Sequence, residues 1–503
     1  MNTGVLLPLA TLASSLLPGI IIFMLPETRS RTRTTLNLAG ALTKLALVVV
    51  MLFGVRAGND YGFRHEVLPG VQLAFEMDAL ALLFVTLSSG LWLLTTLYAI
   101  GYLEQSPHRN RFFGFFSLCV TATIGIAMAA NLFTFFVFYE LLTLATYPLV
   151  AHRGTQKARR GAAVYLGYTL VGGALVLTGI IWLRSIAGPV EFTAGGALGG
   201  LGAEHRTGLR IAFALLVAGV GVKAALVPLH GWLPRAMVAP APVSALLHAV
   251  AVVKAGAFGI VRIVYEVFGV EQAHALGVLT PLAVVAATTI VWGSLRALTQ
   301  DELKRRLAFS TVSQVSYIAL GVAMLGPQAT IGGLVHLVHQ GIMKITLFFC
   351  AGNYAETLGV HRVSEMDGIA RRMPLTSAAF TIGALGMMSA PLTAGAVSKH
   401  WLSAGAEAAD MAWAGWVLTA SSLLNAAYFL PIVFRAWCRQ PPTAWPQEHI
   451  TRAGWRETGW LLLLPPLVTA AATLGAGVLA DLPMSPLTWA RLIAAREYAG
   501  SSM

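Results

Sequence analysis

The chain has 503 residues, of which 56% are hydrophobic and only 11% charged, against the roughly 25% charged residues of an ordinary soluble protein. This composition excludes a soluble enzyme with a solvated surface and implies an integral membrane protein. A net charge of +12 would suit a nucleic-acid partner, but the positive residues fall between apolar segments, so no nucleic acid is expected.

Apolar windows of the roughly 20 residues that cross a bilayer recur along the chain, about fourteen in all. In order they begin near Gly4, Thr34, Asp78, Phe112, Asn131, Gly161, Thr207, Ala241, Ala275, Arg306, Gln328, Pro374, Asp410 and Thr458. Strands in lipid must close into barrels and alternate in polarity, so continuous apolar runs predict helices and an all-α polytopic fold. The first run lacks a basic leader and a small-residue cleavage site and reads as a retained helix. Cys119, Cys350 and Cys438 form no CxxC pair, so neither a metal site nor a bound redox cofactor is expected.

Loops after the odd-numbered spans carry most of the arginines, among them Arg29, Arg31, Arg33, Arg109, Arg111, Arg159, Arg160, Arg305, Arg371, Arg372, Arg452 and Arg456. The positive-inside rule makes that side cytoplasmic and, for an even number of spans, puts both termini on the periplasmic side of a bacterial inner membrane. The polar stretches 56–76, 188–206 and 435–457, with the glycine run 195–202, are loop-sized, so a single membrane domain is predicted.

Six basic residues remain inside apolar helices: Lys44, Lys223, Lys254, Arg262, Lys344 and Lys399. Each costs about 2.5–3.5 kcal/mol at a helix centre on insertion scales. Lysine dominates there, while arginine is kept to the loops. Arginine holds its proton, whereas a desolvated lysine exchanges one near neutrality, so this sorting points to proton movement. Snorkelling or a static pair is the simpler reading for Lys44 and Arg262. Among acids, Glu140 in NLFTFFVFYELLTLATYP is the one expected deep in a helix, with Lys223 as its partner.

The segment VGVKAALVPLHGWLPRAMVAPAPVSALLHAVAVVKAGAFGIVR follows. Lys223 stands five residues before Pro228, a helix breaker, and broken helices at membrane depth are tolerated where they line protein or a watery cavity. His248 and Lys254 are six apart, off a common face unless the helix is irregular, and His248 is a candidate relay. In GGLVHLVHQGIMKITLFFCAG, His336, His339, Gln340 and Lys344 form a polar stripe. His336 and His339 share a face, but with no third ligand and a lysine beside them zinc is not expected. MMSAPLTAGAVSKHWL repeats the theme, Pro391 standing eight residues ahead of Lys399. Two proline-broken helices with a lysine each are the hydropathy pattern of inverted-repeat transporters.

FYELLTLATYPLV, VKAALVPLHGWLPRAMVAPAPVSALLH, DELKRRLAFSTVSQVSYI and HQGIMK together resemble the antiporter-like membrane subunits shared by respiratory complex I, membrane-bound hydrogenases and Mrp-type cation/proton antiporters. The resemblance runs from about Asp78 to Lys399. It implies about fourteen helices with two inverted five-helix repeats: residues 1–110 as N-terminal helices, 111–270 as the first repeat, 271–440 as the second, and 441–503 as a last helix and tail. It places Glu140, Lys223, Lys254 and Lys399 along the membrane midplane, with His248, His336, His339 and Lys344 on the connecting polar axis. Lysine at 399 and the HQGIMK spacing look most like the D-type subunit of Mrp antiporters. The implied role is a proton-conducting subunit with no catalytic centre of its own. Other membrane subunits of an Mrp-like or complex I-like assembly would be its partners, and protons with sodium or potassium its ions. An NADH-quinone oxidoreductase, hydrogenase-type or inorganic-carbon uptake complex is the alternative host.

Overall fold

A computed structural model of the chain describes residues 3–103, 106–201, 203–448 and 457–499. Arg452 and Arg456 of the basic loops and Gly202 of the glycine run lie outside the described residues. The helices are α1 (Thr3–Met24), α2 (Ser30–Arg56), α3 (Ala79–Tyr102), α4 (Arg109–Met128), α5 (Leu132–Val150), α6 (Gln156–Ala187), α7 (Arg206–Ala224), α8 (Trp232–Arg235), α9 (Ala241–Ala249), α10 (Val252–Arg262), α11 (Val270–Leu276), α12 (Leu279–Leu298), α13 (Leu303–Ala323), α14 (Pro327–Leu358), α15 (Ile369–Arg372), α16 (Pro374–Met387), α17 (Ala394–Ala408), α18 (Ala412–Cys438), α19 (Trp460–Val478) and α20 (Pro486–Glu497). Among the described residues, 12 helical segments are long and apolar enough to cross a membrane, and the chain is a polytopic membrane protein. Helix starts follow capping chemistry: Asp78 accepts from Ala81 N, Asn131 from Thr134 N and Thr155 from Ala158 N, each satisfying an amide that the first turn leaves free.

The fold is nearly, not wholly, helical. Residues 56–76, expected as a loop, fold in part into a β-hairpin of β1 (Gly62–Leu68) and β2 (Val71–Glu76), paired antiparallel from Gly62↔Glu76. Pro69 and Gly70 make the reversal, Gly70 at φ +71, where a side chain would be strained. The hairpin leans on α5: Ala74 N donates to Thr134 Oγ1 at 2.9 Å and Asn131 Nδ2 to the Gln72 carbonyl at 3.0 Å. Likewise the expected tail after the last apolar span contains a further helix, α20.

Burial orders the bundle. Every residue from 239 to 270 is buried, and so is nearly all of α14. Helices apolar on all sides belong at the centre of a large membrane protein, and here α9, α10 and α14 occupy it. Conversely α1, α2, α6 and α18 expose large apolar side chains such as Leu17, Phe53, Ile181 and Leu423, the surface a bilayer covers.

Three interruptions shape that centre. α7 stops at Ala224, Ala225 turns left-handed at φ +59, and Pro228 follows in the loop. The Val222 carbonyl there accepts from the Ala225 amide and from Trp232 Nε1 at 2.7 Å. α16 and α17 are separated by a loop containing Pro391, with Ser389 and Leu392 left-handed at φ +64 and +66. Asn425 Nδ2 donates to the Met387 carbonyl at that break. A third break, without a proline inside it, divides α9 from α10 at Val250 and Ala251. It supplies the irregularity between His248 and Lys254 that a regular helix would lack.

Candidate ion pathway

Lys223 occupies the last turn of α7, where the end of that helix packs against α10. A Cβ on Gly256 of α10 would stand 2.1 Å from Ala224 N, so the two backbones touch at the break. The Lys223 ammonium is fully buried; it donates to the Tyr139 carbonyl on α5 and lies 3.2 Å from the centre of the Tyr139 ring. Tyr139 Oη donates in turn to the Gly219 carbonyl at 3.0 Å, tying α5 to α7 around the lysine.

Glu140 differs from expectation in two ways. It is half-buried rather than deep, and it is absent from the ion pairs of the described residues. Its carboxylate lies against Gly173 of α6, and Oε1 is buried without a hydrogen-bond partner. The Lys223 charge still acts on it. The arrangement is therefore two groups in electrostatic contact across a gap, which a proton on either one changes, rather than a locked pair.

Lys254, on α10, is fully enclosed and its Nζ has no hydrogen-bond partner among the described residues. Its charge acts on Lys344 and on His336 of α14. Like charges this close make the proton load of one lysine depend on that of the other. Lys344 donates to Ser310 Oγ at 2.5 Å, Ser310 accepts from Tyr428 Oη at 2.8 Å, and Tyr428 meets Asn425, which holds the α16–α17 break. His339 Nδ1 donates to the Ala394 carbonyl at 2.6 Å, on the far side of that break, and His336 Nδ1 meets Ser398 Oγ at 3.0 Å. The Nε2 atoms of both histidines are buried and have no hydrogen-bond partner among the described residues. Tyr317 stacks on His336 at 4.9 Å and carries Lys399 over its ring at 5.5 Å; Lys399 also donates to Ser422. His248 stacks on Phe348 at 4.4 Å, with Nε2 3.3 Å from the Met237 sulfur.

The structure thus brings Lys254, His336, Lys344 and Lys399 into one polar run and sets Lys223 with Glu140 one helix away, across the Gly256 contact. His339 reads the backbone of the break. His248 packs beside aromatic and sulfur atoms, within reach of the Lys344 charge. Sequence reasoning missed Ser310, Tyr317, Ser398 and Tyr428, which join these groups. It also missed a second acid: Glu266 is 3% exposed and pairs with Arg262, whose Nη1 is 2.6 Å from Asp78 Oδ2. Arg262 is locked in this cluster, away from the lysine run.

The profile described as "NADH:quinone oxidoreductase/Mrp antiporter, TM" matches residues 129–425. The chain belongs to that family. The match takes in every residue of the row, from Glu140 to Lys399, and a second profile, "NADH-Ubiquinone oxidoreductase (complex I), chain 5 N-terminus", covers 70–113. As a family member the chain is 36% identical to an NADH-quinone oxidoreductase subunit N of Desulforudis audaxviator, over 74% of each chain. It is 29% identical to the A/B subunit of a probable K(+)/H(+) antiporter of Rhizobium meliloti, over 82% of this chain and 41% of that one. In fold it superposes on a chain of the Mrp complex from Dietzia sp. DQ12-45-1b with a TM-score of 0.87 at 26% identity, covering 100% of this chain and 98% of the other.

Proposed function

We propose that the chain conducts protons across a bacterial inner membrane as one subunit of a multi-subunit complex, with both termini periplasmic, and that it serves monovalent cation/proton antiport in the manner of the D-type Mrp subunit. The observation that carries this reading is the run of ionisable groups, buried apart from the half-buried Glu140, threaded past three helix breaks. Glu140 and Lys223 form its first station, Lys254 the centre, and Lys344 with His336 lead to Lys399; His248 and His339 flank it. A proton arriving at Lys254 raises the cost of one on Lys344, so charge advances by repulsion along the row. Loosening Glu140 from Lys223 biases the first station. In this reading α13 and the broken α16–α17 pair complete fourteen crossings, and the breaks at Pro228 and Pro391 occupy corresponding places in two inverted repeats of five helices.

A second host is supported by the 36% identity to an oxidoreductase subunit N: a proton-pumping subunit of a redox or inorganic-carbon complex, using the same row. Lys223→Ala and Glu140→Ala are expected to abolish proton movement in vesicles while the protein stays inserted. Unchanged transport in both variants would sink the pathway. The proteins that co-purify in mild detergent separate the hosts: small antiporter subunits, redox subunits or a zinc hydratase.

A further inference from the structure

A second buried lysine, Lys44, lies in α2, outside both stretches that match the family. The buried stripe of α2 contains Arg33, Asn37, Gly40, Lys44, Val48 and Met51, a helical spacing whose polar members end at Lys44. By rise, Lys44 lies about 21 Å from the start of α2, near mid-membrane. Its Nζ is fully enclosed, donates to the Thr11 carbonyl at 2.7 Å and to Ser15 Oγ at 2.8 Å, and stands 5.4 Å from the Trp92 ring centre. It appears in no ion pair among the described residues.

From Lys44 a polar seam leads out between α1, α2 and α4. Ser15 Oγ meets Thr121 Oγ1 at 2.8 Å, and Thr121 donates to the Ser117 carbonyl at 3.0 Å. Ser117 Oγ donates to Asn37 Oδ1 at 3.3 Å, and Asn37 Nδ2 to the Arg33 carbonyl at 3.0 Å. Arg33 Nη1 donates to Asn110 Oδ1 at 2.6 Å, Asn110 N to Glu27 Oε1 at 3.0 Å, and Glu27 is 48% exposed at the arginine-rich face. The helices come this close because Gly40 and Gly19 lack side chains: added Cβ atoms would stand 2.4 Å from the Ser14 carbonyl and 3.0 Å from Ser117 Cβ.

On its other side Lys44 faces α3. There Ser88, Ser89 and Thr96 hydroxyls and the Trp92 indole nitrogen are buried without partners among the described residues, although buried polar groups are rarely left so. α3 is also what separates Lys44 from the lysine row: Leu87 meets the position of Gly341 on α14, and Tyr98 donates to the Phe349 carbonyl at 3.0 Å. A lysine kept only to hold helices together needs an acid or gives way to an apolar residue, since the bare charge costs about 2.5–3.5 kcal/mol.

We propose that Lys44 is an additional proton-binding group, connected to the arginine-rich face by the seam through Ser15, Thr121, Ser117 and Asn37 and divided from the central row by α3. This rests on the proton-conducting reading of the chain. The charged groups on the seam are Arg33 and Glu27, with Arg109 of α4 acting on Arg33; among the described residues α1, α3 and α4 bring no charge to bear on Lys44 itself. The test uses the complete complex in native vesicles, with proton flux measured across a range of pH. Lys44→Arg keeps charge and reach but cannot release a proton, and Lys44→Met keeps volume without charge. Both are expected to lower flux about tenfold or more and to change the shape of its pH profile, as loss of a relay group does. Flux of the unsubstituted complex in Lys44→Arg overturns the proposal, because a permanent cation then suffices; so does full flux in Lys44→Met. If neither variant inserts, Ser15→Ala and Asn37→Leu decide: slowed flux supports the seam, and full flux in both overturns it. Lys223→Ala, run alongside, reports on the central row separately.

Discussion

Glu140 keeps its place because α6 offers it a glycine. A Cβ on Gly173 would stand 2.2 Å from Glu140 Oε1, so Gly173→Ala is expected to push the carboxylate away from Lys223 and reduce proton flux severalfold. Gly167→Ala, on the same helix and with nothing within 4 Å of its added Cβ, is the matched control and should transport normally. Equal flux in the two would mean that the position of Glu140 does not matter. At this scale the candidate lysines are legible in the sequence, because a lysine in an apolar run has few passive explanations. Their partners are not. Ser310, Tyr317, Ser398 and Tyr428 are unremarkable residues in apolar helices, and they reach the row from α13, α17 and α18, far apart in sequence. Glu266 escapes notice because it stands at the end of an apolar run, where an acid normally marks the start of a loop; only the fold shows Arg262 and Asp78 closing over it.

Helix ends do the positioning. Prolines announce two of the breaks, yet each break is made by left-handed residues nearby, Ala225 before Pro228 and Ser389 with Leu392 around Pro391. The break at Val250 and Ala251 carries no such mark, and the hairpin of β1 and β2 is announced only by the six-residue alternation of β2, Val71, Leu73 and Phe75 against Gln72, Ala74 and Glu76, inside an otherwise polar stretch. Close approach matters as much as interruption. Gly256 lets α10 meet the end of α7, an added Cβ falling 2.1 Å from Ala224 N and 2.7 Å from the Lys223 carbonyl carbon. Backbone cannot swing aside as a side chain does. Gly256→Ala is therefore expected to cost about 3 kcal/mol or more, the upper end of overpacking, and to lower the melting temperature in detergent, whereas Gly90→Ala, with open space around it, leaves it unchanged. A normal melt for Gly256→Ala would refute the close contact.

On the scale of the molecule, α20 ties the ends of the bundle together. Trp489 Nε1 donates to the Ala79 carbonyl at 2.7 Å, Tyr498 Oη accepts from Gly326 N at 2.8 Å, and Glu497 accepts from Gly195 N at 3.1 Å. Burial pushes the Glu497 carboxyl up to about 7, and the neighbouring Asp78 adds to the rise while the Gly195 amide opposes it. The docked state therefore holds the proton more tightly than the released one. Docking is strongest below the ordinary carboxyl range and weakens as pH rises through about 7, because the released state then gains by ionising. Proteolytic release of α20 is expected to quicken as pH rises from about 4.5 to about 7 and to level off above, and Glu497→Gln should flatten the change; a pH-independent rate in the unsubstituted protein would refute it. The enclosed stretch 239–270 also bears on how the chain is made. A ribosome delivers it to the membrane before α13 and α14, which will cover it, have been synthesised. During that interval Lys254 lacks the α14 groups that it faces, His336 and Lys344, whereas Arg262 and Glu266 already have Asp78 and the Ala127 carbonyl to hold them. The outer helices can settle early, but the buried centre is completed only when the second half of the chain arrives to seal it.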